Sequence, residues 1–281
     1  MVASSEMRKP VWWLVGILIL AAAAVLIYSW RANRHAARVV VPVTAPKAPP
    51  VAAAPKVANP VPQTASAPEQ PLPTLGDSDV PAHQALAGVN GQADVDHWFK
   101  PDMLIRHIVV TVDNLSRKRA AVELLPTKPV PGQFAAKGDD QHATIDPANY
   151  KRYTPYVQAL QMVDVKQLAT VYFHYYPLFQ QAYQNLGYPN GYFNDRLVET
   201  IDGLLQTPDP KGDIQLVRPN VMYQYADPML EDLSAGQKVL LRMGPQNEAI
   251  VKAKLKELRA AIADRSRDGA GSRDRNATSG G

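Results

Sequence analysis

The sequence contains no cysteine. That excludes disulfides, Cys-ligated zinc, iron–sulfur clusters and a thiol nucleophile, and it fits an oxidising compartment in which stray thiols are a liability. Histidine is scarce too. His35, His83, His97, His107, His142 and His174 are the whole set, and no two of them stand four apart as paired helical metal ligands do. GxSxG, HExxH, P-loop and GxGxxG patterns are all missing. No catalytic residue, metal site or cofactor is therefore expected. Positive charge is lacking where a nucleic-acid surface would need it. Residues 1–74 carry seven Lys/Arg and two acids, and residues 75–262 carry 19 Lys/Arg against 21 acids. The sequence pI near 9.1 thus comes from the flanks, and no nucleic-acid partner is expected of the central region.

What is present begins with a long uncharged run. Residues 11–30, VWWLVGILILAAAAVLIYSW, contain no ionisable side chain except Tyr28. Twenty helical residues rise about 30 Å, the thickness of a bilayer core. Trp12, Trp13, Tyr28 and Trp30 stand near the two ends, where amphipathic rings favour the membrane interface. A transmembrane helix over 11–30 is expected, behind a short tail of residues 1–10. A cleaved signal peptide is the competing reading, but its apolar region is shorter and ends in a small-residue site. Arg8 and Lys9 on one side and Arg31, Arg34 and Arg38 on the other nearly balance the positive-inside count. The expected orientation, N-terminus inside, rests on the plan of a short tail followed by a long exported domain; the inverted plan puts the same domain in the cytosol. Residues 39–74 hold ten Pro among Ala and Val. Such a composition favours polyproline II over packed structure, so residues 31–74 are expected to be a disordered, semi-rigid spacer.

Residues 75–263 read as one mainly α-helical domain with one or two small β-hairpins. Pro101 and the MLIRHIVVTVDNL that follows predict a helix with Pro at its first position. Arg117–Arg119 then form a solvated basic end. Residues 133–137 and 142–145 flank Gly138, Asp139 and Asp140 as a small hairpin or an irregular loop. Asp146-Pro147 starts a helix that Pro155 is expected to break. Residues 214–227 lean towards a two-stranded ribbon. Ser234 and Gln237 form a capping box, and Gly244-Pro245 separates two helices. In the last of these Val251, Leu255, Leu258 and Ile262 should face inward, leaving Lys252, Lys256 and Arg259 in solvent. Residues 264–281 read as a disordered tail.

Nine of the 21 aromatic residues fall within residues 170–196. Asp164 should cap the helix that carries most of them. Leu168, Tyr172, Tyr175/Tyr176, Phe179, Tyr183 and Leu186 trace one stripe of a 3.6-residue period, which marks them as core. Pro177 should interrupt the helix near Phe173, and Gly187 should end it. The turn Pro189-Asn190-Gly191 then brings Tyr188, Tyr192 and Phe193 beside Asn194, Asp195 and Arg196. This cluster is the candidate partner-binding surface. The competing reading is two aromatics that only pin a helix–helix turn. Asp195, Glu199 and Asp202 share one helix face, a spacing that general acid–base chemistry on glycans uses and that solvated surface helices show equally.

Three blocks carry a family resemblance: KPVPGQF at 128–134, YPLFQQAYQNLGYPNGYFNDRLVETIDGLL at 176–205, and ADPMLEDLSAGQKVLLRMGPQN at 226–247. Over about 75–262 the chain resembles a bacterial family known as domain of unknown function 3014. The resemblance implies an anchor, a Pro/Ala-rich linker and a mainly helical domain in a Gram-negative cell, and it carries no catalytic residues with it. The expected function is a single-pass inner-membrane protein that displays a non-enzymatic helical interaction module in the periplasm, as scaffold or accessory subunit of an envelope complex with an unidentified protein partner. The alternative is an envelope protein that binds or cleaves peptidoglycan or another glycan.

Overall fold

A computed structural model describes residues 57–61, 71–139 and 142–278, all within one compact unit, Ala53–Gly281. The expected span 11–30 and its anchors Trp12, Trp13, Tyr28 and Trp30 lie outside the described residues. Among the described residues no helix is long and apolar enough to cross a membrane.

The domain is mainly helical, with one small antiparallel sheet. In chain order it contains α1 (Asp79–Asn90), α2 (Gln92–Trp98), α3 (Leu104–Leu115), β1 (Ala136–Lys137), β2 (Ala143–Ile145), α4 (Ala148–Met162), α5 (Val165–His174), α6 (Tyr176–Asn185), α7 (Phe193–Leu205), β3 (Gln215–Val217), β4 (Gln224–Tyr225), α8 (Pro228–Glu231), α9 (Ala235–Met243) and α10 (Pro245–Thr278). α3, α5, α6, α7 and α10 enclose the main core. Phe173, Phe193, Leu104, Ile105, Val109 and Ile262 are almost wholly buried in it, with Tyr172, Phe179 and Tyr183 close by. A second, smaller core lies under the sheet, where Ala143, Ile145, Leu216 and Tyr225 meet Leu241 of α9.

Several local signals act as read. The Asp164 carboxylate accepts from the N–H groups of Lys166 and Gln167 at the start of α5, and Ser234 with Gln237 makes both bonds of the capping box on α9. Pro177 lacks the N–H that would continue α5, so the helix stops at His174, turns at Tyr175 and restarts as α6. Gly244 ends α9 at φ 82, and any Cβ there would lie within 2.5 Å of the Tyr150 ring. Both expected ribbons form, and β2 also pairs with β3 through Ala143↔Leu216 and Thr144↔Gln215, which joins them into one sheet in the order β1-β2-β3-β4.

Other expectations are corrected. The helix expected from Pro101 begins at Leu104, because its cap comes from elsewhere. The Asp79 carboxylate accepts from Met103 N–H at 2.8 Å and Leu104 N–H at 2.9 Å, and Met103 is the one non-Gly residue with positive φ among the described residues. Pro155 lies inside α4 rather than breaking it. α4 runs along α9 and α10, and Asn247 Nδ2 donates to Tyr150 O at 2.9 Å, so tertiary packing overrides the local preference. Lys252 is not solvated: it pairs with Glu248 and donates to Thr207 O. Arg259 keeps 39% of its side chain exposed, as expected, and pairs with Asp202 on α7. The tail expected to be disordered from 264 is helical as far as Thr278, since extending a helix from a packed nucleus is far easier than starting one.

Candidate functional site

The turn that links α6 to α7 is built from its own backbone and from one side chain of α6. Gly191 N–H donates to Tyr188 O at 2.9 Å and closes the turn. Gln180 reaches across: its Nε2 donates to Gly191 O at 2.7 Å, and its Oε1 accepts from Phe193 N–H at 2.9 Å and from the Tyr176 hydroxyl at 3.0 Å. One side chain thus fixes the turn and caps α7. Gly191 is required here, because a Cβ would come within 2.7 Å of the Tyr183 ring and 2.9 Å of Tyr188 Cβ.

The six residues singled out in the turn separate into three groups. Phe193 is core. It is 1% exposed and stacks on Phe179 with ring centroids 5.7 Å apart. Tyr188 and Arg196 belong to a charged network on α3. Tyr188 stacks on Tyr183 at 4.6 Å, and its hydroxyl accepts from Arg117 at 2.7 Å and faces Asp113. Arg196 spans from buried Asp113, at 3.2 Å, to exposed Glu199, at 3.0 Å. Burial works against the Arg196 charge, but Glu199 and then Asp113 outweigh it and hold the guanidinium above its ordinary pKa.

Tyr192, Asn194 and Asp195 form the third group, and they grip a segment of the chain's own expected spacer. Asp195 Oδ2 accepts from Ala58 N–H at 3.0 Å. Its Oδ1 accepts from Asn59 N–H at 2.6 Å and from Asn59 Nδ2 at 3.0 Å. Asn194 Nδ2 donates to Asn59 O at 2.9 Å, and Val61 N–H donates to the Tyr192 hydroxyl at 2.7 Å. Val61 itself is 5% exposed and joins the main core. Asn194 is held in position from behind, since the buried Tyr172 hydroxyl donates to its Oδ1 at 2.8 Å. Burial keeps the Tyr172 hydroxyl protonated by raising its pKa well above the usual phenol range, with Tyr192 and Asp195 adding to the shift. It therefore serves as a fixed donor. Residues 57–61, expected in the disordered spacer, are laid on the module instead.

The balance of this contact is close. Charge-assisted bonds contribute about 1.5–3 kcal/mol each and neutral ones about 0.5–1.5 kcal/mol, and burial of Val61 adds about 2 kcal/mol. The total is about 10 kcal/mol, against roughly 5–10 kcal/mol to order a five-residue backbone. Pro60 lowers that cost by fixing its own φ. The segment is held by a margin of a few kcal/mol.

Beside the segment an open cleft of about 320 Å³ continues, lined by three tyrosines, Tyr183, Tyr188 and Tyr192, and by the charged Asp113, Asp195, Arg196 and Glu199, and none of residues 57–61 lines it. The three carboxylates on the α7 face do not converge: Asp195 holds the segment, Glu199 pairs with Arg196 and Asp202 with Arg259. No cluster of three or more potential metal ligands occurs among the described residues. The sequence reading missed Asn59, Gln180 and Asp113. Asn59 left a trace, as the only Asn in residues 39–74. Gln180 and Asp113 have the partners Tyr176 and Arg117 four positions away, but the bonds that build the site reach across helices and leave no local pattern.

No curated protein and no solved structure matched the chain. The family model for "Protein of unknown function (DUF3014)" matches residues 104–259, more than half of the chain, and the protein belongs to that family.

Proposed function

We propose that the protein is a non-enzymatic, single-pass inner-membrane protein that presents its helical module in the periplasm, as a scaffold or accessory subunit of a cell-envelope complex. The observation that carries this reading is the capture of a short peptide segment, bent at Ala58 and Asn59, by Tyr192, Asn194 and Asp195 on the module's surface. Binding through main-chain groups and one apolar anchor is how interaction modules hold partners. The uncharged run 11–30 supplies an anchor of bilayer length, and the Pro-rich stretch behind it supplies reach. A glycan site draws less support. It needs open aromatic platforms, whereas Tyr188 is stacked on Tyr183 and the Tyr192 hydroxyl is taken by Val61.

The test is topology. Because the chain has no cysteine, a single Ser272→Cys variant gives a clean reporter for a membrane-impermeant maleimide. Labelling of intact cells is the expected result. Labelling only after lysis places the module in the cytosol and overturns the periplasmic reading.

A further inference from the structure

We propose that Tyr192, Asn194 and Asp195 form a receptor for a short peptide that bends ahead of an Asn-Pro core and continues with a β-branched apolar residue, and that residues 57–61 are its built-in competitor. This rests on the reading of the module as an interaction domain and names the chemistry its site recognises.

Three features of the geometry carry the inference. First, the site reads mostly backbone. Its partners are the N–H groups of Ala58, Asn59 and Val61 and the carbonyl of Asn59, and a peptide that makes the same bend at the positions of Ala58 and Asn59 offers the same groups. Only two side chains of the segment are selected: Asn59, whose amide donates to Asp195, and Val61, which is buried. Pro60 between them has no N–H to satisfy and fixes its own φ. The motif is thus short enough to recur in a partner and specific enough to be told from the many Ala-Pro and Val-Pro steps of the spacer. Second, the site is rigid apart from its occupant. Gln180 fixes the turn, and the Tyr172 hydroxyl fixes Asn194, so the receptor is preorganised. Third, the cleft beyond Asp195 and Tyr192 is not filled by the segment, which leaves room for a longer peptide to make contacts that residues 57–61 do not make. A segment tethered by the nine residues 62–70 competes at a high effective concentration, so an outside peptide must bring such extra contacts or arrive in several copies.

The experiment uses the full chain in detergent micelles and a fluorescein-labelled peptide of residues 55–63, PKVANPVPQ. Binding is read by polarisation to the natural chain and to a variant with Asn59→Ala and Val61→Ala, in which the competitor is disabled and the receptor untouched. The expected result is at least tenfold tighter binding to the variant. In that background Asp195→Asn, which removes one carboxylate oxygen as acceptor, weakens the peptide at least tenfold, and a peptide with Ala in place of Asn59 weakens it as much. Melting temperatures measured alongside show whether each variant stays folded, and a second variant, Tyr192→Phe, keeps the test available if Asp195→Asn does not. Equal affinity for natural chain and variant overturns the proposal. So does absence of binding to either at millimolar peptide, or binding indifferent to both receptor substitutions. These outcomes are independent of the maleimide result: a chain labelled in intact cells that binds no peptide loses this inference and keeps the proposed function.

Discussion

Asp79, in the first turn of α1, and Asp195, in the first turn of α7, place their carboxylate oxygens on two successive backbone N–H groups of a distant segment. For Asp79 these belong to Met103 and Leu104, at 2.8 and 2.9 Å; for Asp195 they belong to Ala58 and Asn59, at 3.0 and 2.6 Å. What differs is the apolar surface tied to each grip. Behind Leu104 follow Ile105 and Val109, each 1% exposed in the main core. Among the described residues 57–61 only Val61 is buried, and Val57 stays 45% exposed. The same polar clamp closes a joint backed by core in one place and, on the inference above, holds a displaceable segment in the other. Hydrogen bonds of about 1–3 kcal/mol set the position of a segment, and buried area decides whether the segment stays.

The comparison breaks most severely if the frame behind Asp195 is removed. Phe193→Ala deletes a side chain packed on Phe179, Tyr172 and Tyr183, at a cost of about 3–5 kcal/mol. A fall of roughly 10 °C in melting temperature is expected, together with loss of the segment's grip, and a melt near that of the natural chain would remove Phe193 from the core. Asp79→Ala comes next. It removes the acceptor from two N–H groups at the start of α3, an exposed one at Met103 and a half-buried one at Leu104, for about 1–2 kcal/mol. The expected signature is a lower melting temperature with residues 57–61 still protected from hydrogen exchange. Asp195→Ala should invert that pattern. The melting temperature falls by no more than the segment's small margin allows, about 4–8 °C, while the amides of Ala58, Asn59 and Val61 exchange at least tenfold faster, as is typical of local opening. If those amides keep their protection in Asp195→Ala until the whole domain melts, the two clamps are alike and the segment is part of the fold.

These two clamps also mark how far the sequence could be read. Asp164, the Ser234–Gln237 box, Gly187, Gly244-Pro245 and the Pro189–Gly191 turn were legible because each acts on residues within about four positions. The stripe from Tyr172 to Tyr183 was legible because helical period and burial coincide. Asp79 was not, since the N–H groups it serves lie 24 and 25 positions away. Nor was the β2–β3 pairing, which joins two ribbons more than 70 residues apart. At the candidate site the turn was found, but its six residues were read as one surface. Phe193 belongs to the core, Tyr188 and Arg196 to the Asp113 network, and only Tyr192, Asn194 and Asp195 face the segment. Proline content marked residues 31–74 as a spacer. It carried no information on whether five of them match a site formed by residues more than 130 positions away.

A third carboxylate gives the comparison a finer scale, and it titrates. Glu231 Oε2 accepts from Tyr225 N–H at 3.0 Å, and its Oε1 pairs with Lys238 at 2.6 Å, which ties α8 and β4 to α9. Burial pushes the Glu231 carboxyl up, but the bonds from Lys238 and from the Tyr225 N–H outweigh it and leave the folded-state pKa below the ordinary 4.5. A lowered acid pKa stabilises the fold above its unfolded-state value, and that stabilisation is lost as pH falls from about 4.5 through the folded-state pKa. Glu231→Gln keeps an acceptor for Tyr225 and removes the charge. The melting-temperature gap between the natural chain and this variant should therefore be small and constant above about pH 5, and should close towards pH 3. The effect is the smallest of the series, because the Glu231 side chain is 36% exposed and water screens its pair with Lys238. A gap that stays constant down to pH 3 would show that Glu231 acts only as a neutral acceptor, and that a single backbone N–H, unlike the paired N–H groups at Asp79 and Asp195, does not need a charge to hold it.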